Sequence, residues 1–233
     1  MINKIKKELR KEADKNKAKI LAGFFKTKKG EYGEGDKFLG VVMPKQHMIV
    51  KKYADKISVE DALNLLNSKI HEERMTALLI LVSKYRKGEL SEKKQIFSLY
   101  LKNTKLINNW DLVDVTCRDI VGAYLFEKDK NILYKLAKSK NLWEKRIAIV
   151  STFYFISKGD VFETFKIAKM LLHDRGDLIH KAVGWALREA GKKDKVQLVK
   201  FLEENGSKIP RTMLRYAIEK FSLTERKRYL ARF

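Results

Sequence analysis

The sequence predicts an all-α fold, an α-solenoid of antiparallel helical hairpins, from three observations. Apolar residues recur at helical spacing along nearly the whole chain, and no long strand-type alternation competes with this pattern. The 233 residues include only two prolines, Pro44 and Pro210, so little interrupts the helices. Basic residues also return at a regular interval along the chain, which indicates a repeated helical unit.

The N-terminal part is expected to differ from the rest of the chain. Residues 2–24 suggest one amphipathic helix, and residues 26–37 form a glycine-rich loop. Residues 38–43 suggest a short extended piece, after which Pro44 begins a helix at a position that proline tolerates. We expect one domain, made of the N-terminal helix and loop followed by a hairpin array: 1–233, divided into 1–43 and 44–233.

An internal repeat organises the hairpin array. Arg74, Arg146, Lys181 and Arg215 occupy similar places in it, 72, 35 and 34 residues apart, and Trp110 falls 36 residues after Arg74. A hairpin period of about 35 residues without a fixed aromatic pattern fits a degenerate HEAT-like array, whose inner helices would line a concave basic groove. Five segments are expected to form the later helix of each pair: 72–85, 108–124, 142–156, 178–191 and 210–221.

The charge of the chain indicates an anionic partner. It has 51 lysines and arginines against 29 aspartates and glutamates, a formal net charge of +22. A lysine-rich composition accounts for part of this excess, but +22 exceeds what solubility requires. Nucleic acid is the usual acceptor of such a charge, and a basic groove suits a long anionic rod such as double-stranded DNA.

Several classes of site are not expected. Cys117 is the only cysteine, so the sequence predicts no disulfide, a reducing compartment and a buried structural thiol. No signal peptide or membrane-spanning run is visible, and we expect a cytoplasmic monomer with no membrane partner. The loop at 30–36 lacks the ending of a phosphate-binding P-loop. The four histidines show no metal-ligand spacing, so neither a metal nor an organic cofactor is expected: His47, His71, His173 and His180.

One candidate site combines a carboxylate with an indole. Trp110 and Asp114 are four residues apart, so they share one face of a predicted helix. Asp114 lies in an otherwise apolar stretch, where an unpaired carboxylate would be costly. From the residues alone two interpretations stay open: Asp114 acts in chemistry, or it caps the helix or pairs with a neighbour such as Arg146.

The other two tryptophans are expected to differ from each other. Trp185 lies on another inner helix, with Lys181 one turn before it and Arg188 one turn after it. A tryptophan at helical spacing is usually a core residue, and Trp143 is the best candidate for that role.

Five stretches, in this order, carry a resemblance to a known family: 24–41, 108–114, 142–152, 181–189 and 210–221. Over most of its length the chain resembles the AlkD-like DNA alkylation repair family, the HEAT-like repeat alkylpurine DNA glycosylases. The resemblance implies that Asp114 is the catalytic aspartate, that Trp110 and Trp185 are the active-site tryptophans, and that Arg146 lies near the DNA backbone. Family members commonly have a polar residue at the position of Val42, so the range of substrates is expected to differ here.

The implied chemistry agrees with these residue types. An N3- or N7-alkylated purine, such as 3-methyladenine or 7-methylguanine, is cationic and leaves as a neutral base, so one carboxylate beside the oxocarbenium-like sugar suffices. Indole faces attract cations. The implied enzyme hydrolyses the N-glycosidic bond in base excision repair, bound to alkylated duplex DNA in the nucleoid. Four basic residues are expected to contact DNA: Arg146, Lys181, Arg188 and Arg211.

Two other functions stay open. A non-catalytic DNA-binding HEAT-like scaffold would keep the basic groove but would need neither Asp114 nor the tryptophan pair. A protein-binding HEAT adaptor would explain the fold but not the charge of +22.

Overall fold

The computed structural model describes residues 1–233, which form helices and connecting loops without any β-strand. The only β-type pairing is an isolated parallel bridge between Lys37 and Ile70. The predicted all-α fold is therefore confirmed. The chain forms two compact units, residues 1–120 and residues 121–233.

The first unit is built around one long buried helix. The helices of this unit are α1 (Ile2–Lys11), α2 (Lys15–Phe24), α3 (Met43–Tyr53), α4 (Val59–Leu66), α5 (His71–Lys87), α6 (Leu90–Lys102) and α7 (Trp110–Asp114). The buried helix is α5, in which every residue from His71 to Val82 is buried, because neighbouring helices surround its first three turns. It packs against α1, α3, α4, α6 and α7.

The second unit repeats a pair of helices. The helices are α8 (Ala123–Leu125), α9 (Asn131–Ala137), α10 (Leu142–Ser157), α11 (Phe162–Met170), α12 (Asp177–Lys193), α13 (Lys195–Asn205), α14 (Arg211–Ala217) and α15 (Leu223–Arg232). Helix α10 packs on α12 and α12 packs on α14, while α9 and α11 pack on α10, and α13 packs on α12. The three predicted segments in this unit are confirmed as helices, namely α10, α12 and α14.

The predicted segment 108–124 is not one continuous helix. It consists of α7, a π-helical turn at Arg118–Gly122 and the short α8. The hydroxyl of Thr116 donates to the carbonyl of Leu112 at 2.5 Å, a side-chain bond that competes with the regular helical ladder and bends it. The carboxylate at the end of α7 is therefore followed by an irregular backbone.

The prediction of a single helix over residues 2–24 is wrong, because the chain breaks into α1 and α2. Asp14 starts α2 as its N-cap, where its side chain accepts from the backbone N–H groups of Asn16 and Lys17. The N–H of Asp14 donates to the carbonyl of Leu39, at 2.9 Å. A contact with a distant loop thus ends the first helix, and helical spacing alone does not reveal such a contact.

Two glutamates in the first turn of α5 hold the N-terminal segment. Glu72 is 1% exposed and accepts three consecutive backbone N–H groups, those of Leu39, Gly40 and Val41, at 2.7–3.2 Å. Glu73 is also buried and forms ion pairs with basic side chains of α1. The loop before α3 and the first helix are therefore both fixed to α5. Pro44 lies in the first turn of α3, as predicted.

Gly40 is expected to be the least replaceable residue of this loop. Its φ is +85°, and a Cβ at this position would lie 2.1 Å from the carbonyl oxygen of Asp14. Gly40→Ala should therefore lower the free energy of unfolding by about 3 kcal/mol or more, since both backbone strain and overlap contribute. Gly30 is the matched control, because its φ is +80° but a Cβ would meet nothing within 4 Å. Gly30→Ala should cost only about 1 kcal/mol. Equal losses in urea unfolding would contradict the close approach.

Candidate functional site

The candidate carboxylate and indole lie at the two ends of α7. The side chain of Asn109 caps this helix by accepting from the N–H of Trp110, at 2.8 Å. Trp110 begins the helix and Asp114 ends it, so they are one turn apart on the same side. Both are partly exposed, whereas Leu112 and Val113 between them are fully buried. The first unit therefore brings this predicted pair together at an accessible surface.

Trp110 is part of an aromatic cluster that sequence analysis did not identify. Its ring lies 5.2 Å from the ring of Phe25 and 5.8 Å from that of Phe24, measured between centroids. Phe25 is buried, but Phe24 is 60% exposed at the end of α2. The only sign of this cluster in the sequence is the pair of consecutive phenylalanines, Phe24 and Phe25, at the end of a helix. The cluster extends the exposed indole surface with a second aromatic ring.

A buried phenol lies within electrostatic range of Asp114. Tyr100 is fully buried and shares a hydrogen bond of 2.9 Å with the hydroxyl of Thr116. Burial raises the pKa of Tyr100 well above its ordinary value, and electrostatic interactions with Cys117 and Asp114 add to the effect. Tyr100 is therefore a neutral hydroxyl at physiological pH. The predicted burial of Cys117 is confirmed.

Arg74 does not contribute to a basic surface, contrary to the repeat-based prediction. It is 4% exposed, and its guanidinium donates to Asp36 at 2.7 Å and to Asn108 at 3.0 Å. The Asp36 carboxylate also accepts from His71, at 3.0 Å. Burial would raise the pKa of Asp36, but His71 and Arg74 outweigh this effect and hold the pKa below its ordinary value. Arg74 instead fixes the glycine-rich loop.

In the second unit, Trp185 lies on α12 beside an aromatic ring of α10. It is partly exposed, and its ring centroid is 4.3 Å from that of Phe153. Lys181, one turn earlier, forms an ion pair with Asp177 at 2.6 Å. Arg188, one turn later, forms ion pairs with the carboxylates of Glu189 and Glu219. The second unit thus places the three predicted residues along one helix.

The other two predicted arginines differ in exposure. Arg146 is 6% exposed and donates to the carbonyl of Leu178 at 2.8 Å. Arg211 is exposed at the start of α14 and donates to the carbonyl of Leu230 at 2.6 Å. Trp143 is 7% exposed, which confirms its prediction as a core residue.

No three His, Cys, Asp or Glu side chains are grouped so that they could hold a metal ion. None of the helices has the length and apolar character that crossing a membrane requires.

The fold and these side chains define a helical-repeat protein that presents a carboxylate and indole rings at accessible positions. Residues 5–221 match the sequence model of the DNA alkylation repair enzyme family, so the chain belongs to this family. A solved structure described as a predicted DNA alkylation repair enzyme from Enterococcus faecalis shares the fold. It superposes with a TM-score of 0.70 and 15% sequence identity, over 91% of this chain and 98% of that chain. No curated protein matches the sequence significantly.

The three tryptophans are expected to contribute unequally to stability. Trp143→Ala should lower the free energy of unfolding by about 3–5 kcal/mol, because it empties a core position. Trp110→Ala and Trp185→Ala should each cost clearly less, because both side chains are partly exposed. Urea unfolding of the three variants measures the difference. Equal losses for all three would mean that Trp110 and Trp185 are core residues.

Proposed function

We propose that the protein is a DNA glycosylase that removes cationic N3- and N7-alkylated purines from duplex DNA by hydrolysis of the N-glycosidic bond. The observation that carries this proposal is the placement of Asp114 and Trp110 one turn apart on α7, both partly exposed. Membership of the DNA alkylation repair enzyme family supplies the biological context. Lesions such as 3-methyladenine and 7-methylguanine are the expected substrates.

The proposed reaction requires one carboxylate. As the bond between C1′ and the base nitrogen breaks, its electron pair leaves with the base, which becomes neutral because it was cationic. The sugar develops positive charge, which the carboxylate of Asp114 stabilises. Water then adds to C1′ and releases a proton, leaving an abasic site and the free base. No second carboxyl group is needed to protonate the leaving group.

The aromatic rings favour a cationic nucleotide. Each indole face attracts a cation by roughly 0.5–2 kcal/mol, depending on how far the site is desolvated. Trp110 is extended by the exposed ring of Phe24, and Trp185 is supported by Phe153. Val42 is 41% exposed, so the position that is commonly polar in the family presents an apolar surface here. We expect neutral lesions to be poor substrates.

Basic side chains are proposed to bind the phosphates. The acidic partners of Lys181 and Arg188 include Asp177 and Glu219, which are themselves 61% and 41% exposed. Exposed ion pairs contribute only about 0–1 kcal/mol, so a phosphate can replace these carboxylates. Arg211 is already exposed. Arg146 is the least accessible of the four, and its phosphate contact requires its hydrogen bonding to rearrange.

Asp114→Asn should slow base release by roughly 100-fold or more, because the amide keeps the size of the side chain but not its charge. Affinity for the duplex should be nearly unchanged. Single-turnover excision from a duplex containing 7-methylguanine measures the rate. Asp119→Asn is the control, since Asp119 is also a partly exposed aspartate but lies outside α7.

A rate for Asp114→Asn within a few-fold of the unmodified protein would remove Asp114 from the mechanism. If the unmodified protein binds duplex DNA but releases no base, the chain is a non-catalytic DNA-binding scaffold.

Binding to undamaged duplex should be insensitive to sequence and steeply dependent on salt, with log K falling by about 0.9 per log unit of salt for each phosphate neutralised. Replacing Arg211 or Lys181 by glutamine should make this slope shallower by about one. A salt titration on two unrelated duplexes tests both statements. A flat salt response would contradict phosphate binding, and a defect confined to one duplex would indicate base contacts instead.

A further inference from the structure

We propose that His71, as an imidazolium held between Asp36 and Asp111, is a positioning residue that sets the orientation of α7 and hence of Trp110 and Asp114. The activity readout of this proposal rests on the proposed glycosylase function. The geometry can be tested independently of that function.

Both ring nitrogens of His71 face carboxylate oxygens. Nδ1 is 3.0 Å from Oδ2 of Asp36, and Nε2 is 2.8 Å from Oδ2 of Asp111. An ionised carboxylate only accepts hydrogen bonds, so the imidazole satisfies both contacts only when both nitrogens carry a proton. The His71 side chain is 3% exposed, so both ring nitrogens are shielded from solvent. The geometry therefore requires a buried cation.

The surroundings of His71 favour its charged form. The rings of Phe25 and Phe38 stack against the imidazole, with centroids 5.1 and 4.5 Å away. Aromatic faces attract cations. Burial would lower the pKa of His71, but the hydrogen bonds with Asp111 and Asp36 outweigh it and raise the pKa above its ordinary value, although the nearby Arg74 opposes them.

The contact with Asp111 is a direct link to the helix that carries the candidate site. Asp111 is the second residue of α7, and its other carboxylate oxygen accepts from the N–H of Leu112 at 2.8 Å. With only five residues, α7 is too short to keep its orientation without tertiary anchors. Asn108, just before the helix, is bound by Arg74 of the same network. Arg74 thus fixes the residue just before α7, and His71 fixes the first turn of the helix.

The contact between His71 and Asp111 predicts that the rate of base release depends on pH, and it predicts the direction of the change. The charged groups that face His71 are Asp36 and Asp111, with Arg74 beyond them. Because the pKa of His71 is raised, its stabilising contacts are complete at and below its ordinary value of 6.5 and are lost as pH rises through the raised value. Base release should decline over the same range.

Three variants test the proposal: His71→Gln, Asp111→Asn and, as control, His173→Gln. His173 is exposed and lies outside the network. The measurement is the single-turnover release of 7-methylguanine at saturating enzyme, from about pH 6 to pH 9, at a temperature where circular dichroism shows every variant folded. This range contains the expected titration of a histidine whose pKa is raised.

His71→Gln should slow base release roughly 10- to 100-fold, because a displacement of about 1 Å at a catalytic group has that effect, and the remaining rate should be independent of pH. Asp111→Asn keeps an acceptor for Nε2 but removes a charge. The rate of base release of this variant should therefore decline at lower pH than that of the unmodified protein. A purely structural role of Asp111 would not cause such a shift. Affinity for undamaged duplex should be unchanged, and His173→Gln should match the unmodified protein.

A second readout does not depend on activity. The indole N–H resonance of Trp110, assigned with Trp110→Phe, should move with the titration of His71 in the unmodified protein and stay fixed in His71→Gln. It should move at lower pH in Asp111→Asn, the variant to use if His71→Gln does not fold. The proposal would be overturned if the Trp110 resonance did not move with the titration of His71. It would also be overturned if base release by His71→Gln had the same pH dependence as base release by the unmodified protein. Absence of base release from the unmodified protein would overturn only the proposed function.

Discussion

Four consecutive ionisable side chains, His71 to Arg74, are buried at the start of α5, and together they bind several separate parts of the first unit. His71 binds the glycine-rich loop and α7, Glu72 binds the backbone before α3, and Glu73 binds α1. Arg74 binds Asp36 and Asn108. A buried charge is tolerated only when it is paired and hydrogen-bonded, and removing one partner of such a pair costs about 3–5 kcal/mol. The loops around the candidate site therefore have one arrangement that satisfies all four charges.

This constraint explains why short elements can carry the proposed chemistry. Helix α7 has one turn and is followed by irregular backbone, yet the proposed reaction requires that Asp114 keep its position. Asn109 caps the helix, and Asp111 connects it to the long helix α5, whose first three turns are buried. Helix α5 therefore supports α7 through charged contacts, and these contacts are complete only when His71 is protonated. In the second unit, Trp185 needs no comparable anchoring contact, because it lies within the long helix α12.

The sequence reveals the parts of this structure that depend on local pattern. Spacing of four residues was sufficient to pair Trp110 with Asp114, and the interval of about 35 residues located the later helices of the second unit. The break between α1 and α2 was not predictable, because it depends on the contact of Asp14 with Leu39. The same limit applies to Arg74 and His71. Their partners lie 34 to 40 residues away, and periodicity does not show which loop covers a given side chain.

In the proposed function, the carboxylate of Asp114, one turn from the indole of Trp110, assists the release of bases that are already cationic. The most direct measurement is the free base liberated from two duplexes that differ only in the lesion, 7-methylguanine or the neutral hypoxanthine. We expect 7-methylguanine to be released, leaving an abasic site, whereas hypoxanthine should stay in the strand. Equal release of both bases would contradict the reliance on the charge of the leaving group, and release of neither would contradict the proposed activity.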